Sequence, residues 1–231
     1  MFLAGLDIGQ MSDPTALSIL ETTSSPKGSV YQLRYLKRFP LGTSYPDIVD
    51  QTHDIWGSLS LLGTEALLCV DYTGVGRPVV DLFLRRAEIP IRAITITGGF
   101  SVGDDGSGWY TVPKRDLAAV MQILLRRRRL QVARGLAEAQ VLLKELQNFR
   151  VKLTNAGNET YEAWREGDHD DLVLATALPC WLGERTVLGA FDVSGDGGSR
   201  GTITDDFSRA PSGVFGPGGP DDMTTLWDAR R

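Results

Sequence analysis

Four aspartates at three places carry the chemistry that this sequence offers. Asp7 ends the apolar run Phe2-Leu3-Ala4-Gly5-Leu6, and Asp71 ends a second, Ala66-Leu67-Leu68-Cys69-Val70. Asp170 and Asp171 open the helical pattern His169-Asp170-Asp171-Leu172-Val173-Leu174-Ala175. A carboxylate directly behind a buried strand is costly unless a charged partner meets it. Three such places converging on one spot would repel one another. A hard divalent cation relieves that repulsion, and oxygen ligands suit Mg²⁺ or Mn²⁺. Two ions held by carboxylates are a common device for in-line displacement at a phosphodiester. Each place also has a plainer role, since an Asp after a strand forms turns and Asp170 suits a helix N-cap. Taken together, and in this order, the three places favour a metal site over unrelated structural aspartates.

The elements that must position these acids follow from periodicity. Residues 2–7 and 15–20 read as strands, and Tyr31, Leu33 and Tyr35 alternate with polar residues as a third. Pro46 begins a helix, residues 66–70 form a fourth strand, and a helix spans about 77–87. Residues 89–96 suggest a fifth strand. Residues 97–112 are Gly-rich and polar, which predicts a long flexible loop of the kind that often carries function. Helices are expected over 114–127 and 135–148, then a strand at Phe149-Arg150-Val151-Lys152-Leu153 that Thr160 to Trp164 would pair, and a last helix over 169–182. The pattern predicts an α/β fold with a mixed sheet flanked by helices, the first three strands an antiparallel meander and the next two parallel. Asp7 and Asp71 would then be neighbours on the sheet. Residues 1–189 read as one domain. Residues 190–231, rich in Gly, Pro and Asp, read as a disordered tail suited to docking.

The chain has 231 residues, 42% hydrophobic, and a formal net charge of -5. The acidic balance argues against a surface that grips nucleic acid everywhere, but it allows a local basic groove. No apolar run spans a membrane and no signal peptide is visible, so a cytoplasmic protein is expected. Cys69 and Cys180 sit in apolar surroundings and read as reduced core residues.

The order Gly5-Leu6-Asp7-Ile8-Gly9, Asp13-Pro14-Thr15-Ala16, Val70-Asp71-Tyr72-Thr73-Gly74-Val75-Gly76 and His169-Asp170-Asp171-Leu172-Val173-Leu174-Ala175 resembles the nuclease domain of phage large terminase subunits, which has the ribonuclease H-like fold. Val112-Pro113-Lys114-Arg115-Asp116-Leu117 and Lys144-Glu145-Leu146-Gln147-Asn148-Phe149 are also similar to segments of that family, and the resemblance covers roughly residues 2–185. It implies a metal-dependent endonuclease that cuts double-stranded DNA during genome packaging, with two Mg²⁺ or Mn²⁺ ions. Asp7, Asp71 and Asp171 would be the catalytic metal ligands, with Asp170 a further ligand or a partner to one. The chain holds no Gly-x-x-x-x-Gly-Lys-Ser/Thr loop, so it reads either as an excised domain or as a separate product partnered by a packaging ATPase, with a portal or small terminase subunit as further partners.

Basic residues supply candidate DNA contacts. Lys114 and Arg115 start a helix, Arg77 follows the turn after Asp71, and Arg126, Arg127, Arg128 and Arg129 end a helix in a dense run. Each also reads as a solvated surface or a helix-dipole partner. His169 reads as a helix-entry residue that hydrogen-bonds a neighbour, and Trp109 is the tryptophan placed to meet DNA. Three other functions compete. A junction-resolving nuclease of the same fold would need a dimer and branched DNA. An actin-like or sugar-kinase-like ATPase also opens with an Asp-x-Gly loop, as Asp7-Ile8-Gly9 does, but gives the Asp170-Asp171 pair no role. A non-catalytic DNA-packaging module would have no use for intact acids at all three places.

Overall fold

Alternation along the first strand sorts its side chains between two helical layers. In β1 (Phe2–Asp7), Leu3 packs into one apolar cluster while Ala4 and Leu6 pack into another. Successive strand side chains face opposite ways, so Asp7 shares the face of Leu3 and Gly5. β4 (Ala66–Asp71) repeats the pattern, with Cys69 in the first cluster and Leu68 and Val70 in the second. Asp71 therefore looks the same way as Asp7. The computed structural model that shows this describes residues 1–9, 13–60, 65–86, 89–155 and 169–191.

β2 (Ala16–Thr23) and β3 (Val30–Arg38) form an antiparallel meander with β1. On the other side of β1, β4 and then β5 (Ile91–Thr97) run parallel to it. β7 (Trp109–Pro113) continues the parallel set, with the two-residue β6 (Gly103–Asp104) at its edge. At the far edge β8 (Leu130–Val132) pairs with β3. The order is β6-β7-β5-β4-β1-β2-β3-β8. A meander whose first strand is flanked by parallel strands, with helices on both faces, is the mixed α/β arrangement of the ribonuclease H-like fold. α1 (Tyr45–Ser60) and α2 (Gly76–Arg86) cover the face of Leu6 and Val70. α3 (Lys114–Arg126), α4 (Ala139–Asn155) and α5 (Asp171–Phe191) cover the face that carries the two acids.

α5 is buried from Asp171 through Gly183, wedged between the sheet and the other two helices. A helix apolar on all sides belongs in an interior. Pro179 lies inside it and has no N–H for the carbonyl of Ala175, four residues back. Ser18 of β2 donates its hydroxyl to that carbonyl oxygen at 2.8 Å. Gly5 lets the helix come that close, because a Cβ there would overlap the Ala175 oxygen and the Pro179 ring. The sequence thus writes one helix–sheet junction with three residues on three elements.

The structure corrects several expectations. The Gly-rich segment is partly ordered as β6 and β7, and Trp109 stands in a strand, not a polar loop. The strand expected at Phe149–Leu153 is helix, since Phe149 extends the α4 face of Leu142 and Leu146 at helical spacing. β8 has only three residues and went unread. The last helix runs to Phe191, past its expected end at 182. The strand expected at 160–164 and the tail from 192 lie outside the described residues. Cys69 and Cys180 are free and buried. No helix among the described residues is long and apolar enough to cross a membrane.

Candidate active site

The parallel pairing of β1 with β4 sets Leu6 beside Val70, so the strands end level and Asp7 lies next to Asp71. Both carboxyls are nearly buried, at 7% and 8% exposure. Burial pushes Asp7 well above the ordinary carboxylate range, and the charges of Asp71, Asp170 and Asp171 push it further, against a smaller opposing pull from Lys114. Asp71 is raised as well, chiefly by burial. Hydrogen bonds from Thr73, whose N–H reaches Asp71 Oδ1 at 2.8 Å, and from Asp7 itself favour its charged form. The turn after Asp71 is tight, with Gly74 in the left-handed region at φ 55° and no room for a Cβ at Gly76.

Asp170 and Asp171 come from the start of α5, on the same face of the sheet. Asp170 accepts from Lys114 Nζ at 2.7 Å, and Lys114 is the first residue of α3, immediately after β7. Asp171 is held by Arg38 of β3, whose Nε reaches Oδ2 at 2.7 Å and whose second nitrogen reaches Oδ1 at 3.0 Å. The same guanidinium bonds Glu145 of α4. Glu145 accepts from the N–H groups of Leu172 and Val173 at 3.1 and 3.2 Å. Burial and the charge of Asp171 push Glu145 up to about 8, against the pull of Arg38. Arg38 and Glu145 are site residues that sequence reasoning missed. Glu145 stands in a segment that resembles the terminase family, but nothing local marks it or Arg38 as reaching the acids.

The four expected aspartates are therefore brought to one end of the sheet, while the ligand set expected from them is not laid out as such. Among the described residues, no group of three His, Cys, Asp or Glu side chains stands ready to hold a metal ion. Arg38 takes both oxygens of Asp171, and Lys114 takes one of Asp170. The donor set still fits a hard divalent cation: it is all oxygen, Asp7, Asp71 and Asp171 are buried, and Asp7 and Asp71 repel each other once both are charged.

The remaining candidates divide. Arg77 is exposed, 5.3 Å from the Tyr72 ring beside Asp71. Arg115 stacks on the exposed ring of Phe100 and donates to its carbonyl oxygen at 2.7 Å. Phe100 follows β5, at the strand end that faces the acids. Arg126, Arg127 and Arg128 are exposed at the other end of α3, about 18 Å from Lys114. Arg129 departs from the expected DNA contact, because it is buried, paired with Glu184 at 2.5 Å, and donates to the Ser29 carbonyl at 2.7 Å. His169 lies 4.0 Å from Asp13. Trp109 packs edge-on against Tyr72 at 4.7 Å.

Fold and site together define a ribonuclease H-like domain with an acid cluster at its strand ends. No family model and no curated protein matches the sequence. Solved structures are similar over most of the chain. The manganese-soaked human cytomegalovirus terminase nuclease domain is 14% identical over 78% of this chain and 83% of its own, with a TM-score of 0.46. Thermus thermophilus RuvC is 13% identical over 82% of this chain and 97% of its own, with a TM-score of 0.41. The fowlpox virus Holliday junction resolvase is 12% identical over 80% and 99%, with a TM-score of 0.39. The topology of the sheet, not these likenesses, assigns the fold.

Proposed function

We propose that this chain is a divalent-metal-dependent endonuclease that cuts double-stranded DNA, of the kind its resemblance to terminase nuclease domains implies. The observation that carries the reading is the buried Asp7–Asp71 pair with Asp170 and Asp171 at the same strand ends. Burial opposes the charge of Asp7, Asp71 and Asp171, and carboxyls perturbed in this way and gathered at one place are a mark of a functional site. Asp7, Asp71 and Asp170 would hold the metal. Bound divalent ions polarise a phosphoryl oxygen and lower the pKa of a bound water.

The chain's own residues do the rest. Lys114 keeps Asp170 in place and adds positive charge where a phosphate would lie. Thr73 orients Asp71 through its N–H. Arg38 fixes Asp171 and, through Glu145, the start of α5. Arg77 and Arg115 supply phosphate contacts around the acids, and these carry no sequence information. Cleavage is therefore expected to be tolerant of sequence.

A plasmid-nicking assay with Mg²⁺, Mn²⁺ or EDTA tests the reading. Nicked and linear products are expected with either ion and none with EDTA. Cutting that persists in EDTA, or in Asp71→Asn, would overturn it. A branched four-way substrate cut in strong preference to linear duplex would favour a junction-resolving nuclease instead.

A further inference from the structure

Asp170 occupies the N-cap position of α5, since its carbonyl accepts the first intrahelical hydrogen bond, from Leu174 N at 2.9 Å. An aspartate there ordinarily turns its side chain back to accept from the N–H groups two or three residues on. Those groups belong to Leu172 and Val173. Both donate instead to Glu145 Oε2, from a different helix. The Asp170 carboxylate points elsewhere, to Lys114 Nζ at 2.7 Å and to the acid cluster, where its charge is felt by Asp7. Glu145 is itself 6% exposed and tied by Arg38 to Asp171.

We infer that Glu145 is a positioning residue: it caps α5 in place of Asp170 and so releases the Asp170 carboxylate toward Asp7 and Asp71. A helix that begins at an active site has to satisfy its first N–H groups with some acceptor. Here the acceptor is imported from α4, and the residue at the cap position is left for chemistry. The consequence for metal rests on the proposed nuclease reading, whereas the exchange of caps is a property of the metal-free protein.

The exchange is tested on the full chain without metal. Thermal melting compares Asp170→Ala in the parent and in a Glu145→Ala background. In the parent, losing Asp170 is expected to leave Tm unchanged or higher. With Glu145 gone, Asp170 turns back to cap its own helix, and its loss then lowers Tm by roughly 2–4 °C. An equal effect in both backgrounds overturns the inference. Glu145→Gln keeps an acceptor oxygen, and in that background Asp170→Ala is expected to behave as in the parent. Should Glu145→Ala fail to fold, amide hydrogen exchange in Asp170→Ala answers instead. Leu172 and Val173 retain protection if Glu145 is the cap, and lose it if Asp170 is. Mn²⁺ titration of the folded variants reads the consequence. Glu145→Ala is expected to weaken Mn²⁺ binding by roughly 10–100-fold, with Glu145→Gln restoring most of it. Equal Mn²⁺ affinity in the parent and Glu145→Ala removes the link to the site. A parent that binds no Mn²⁺ while the caps exchange as expected removes the metal reading and leaves the cap standing.

Discussion

Asp7 is strained electrostatically by its neighbours, and this gives it a measurable signature without any substrate. Its proton is favoured by burial and by three nearby carboxylates. Folding therefore raises its pKa, and the stability linked to that proton is fully present below the ordinary value of 3.8 and lost as pH rises through the raised value. Asp7→Asn removes the penalty. In metal-free protein it is expected to raise Tm at neutral pH, by roughly 2–4 °C for each kcal/mol relieved, with the gain vanishing at pH below 3.8. The same variant is expected to lose both nicking and the stabilisation that Mn²⁺ gives the parent. Differential scanning calorimetry across pH checks the first, and an unchanged or lower Tm at neutral pH would count against a repelling cluster. Asp7 and Asp71 are legible in the sequence because an apolar run ending in an acid is a local pattern, and Asp170 and Asp171 because acids that open an apolar helical pattern are another. Arg38 is not, since it meets Asp171 across 133 positions and Glu145 across 107. No spacing rule reaches that far.

At the scale of elements, the α5–sheet junction decides whether the acids meet at all. Gly5→Ala places a methyl where the Ala175 carbonyl stands, in a core with no slack. It is expected to destabilise by about 3 kcal/mol or more and to impair Mn²⁺ binding, since α5 must move off β1. Ser18→Ala leaves the Ala175 oxygen without its donor, at about 1–3 kcal/mol. Urea unfolding measures both, and a Gly5→Ala protein of parental stability would show that the helix is not seated on the strand. Most of the sheet is legible in the sequence, because β1, β2, β4 and β5 are apolar runs bounded by turn residues. α4 is not legible to its end. Phe149, Val151 and Leu153 alternate like a strand, and only the packing of Phe149 with Leu142 and Leu146 reveals the helical period. β7 is hidden by the glycines before it, although Trp109, Tyr110, Thr111 and Val112 are good strand formers.

Across the whole molecule, charge is spread along α3. Its first residue serves the acids, and Arg126, Arg127 and Arg128 stand exposed about 18 Å away, a span of roughly five nucleotides along one strand. Duplex DNA lying along α3 would meet both. Changing these three arginines to Gln is expected to weaken binding and to flatten its dependence on log salt by about 0.9 for each phosphate that is no longer neutralised. Arg129→Gln is expected to lower Tm and leave that slope alone, because its guanidinium is spent on Glu184. Fluorescence anisotropy over a salt series in EDTA separates the two, and an unchanged slope in the triple variant would exclude the run from the DNA path. The pair Arg129–Glu184 has a further effect through α5. Tyr31 donates to Glu184 at 2.8 Å and lies against Gly183, so the helix is gripped there as well as at Ala175 and Pro179. The two grips are about 14 Å apart along its axis. A beam clamped at one point can pivot, whereas a beam clamped at two cannot. Asp171 stands a single turn before the inner clamp. Held at both points, α5 keeps its first turn, and with it Asp171, at a fixed angle over β1.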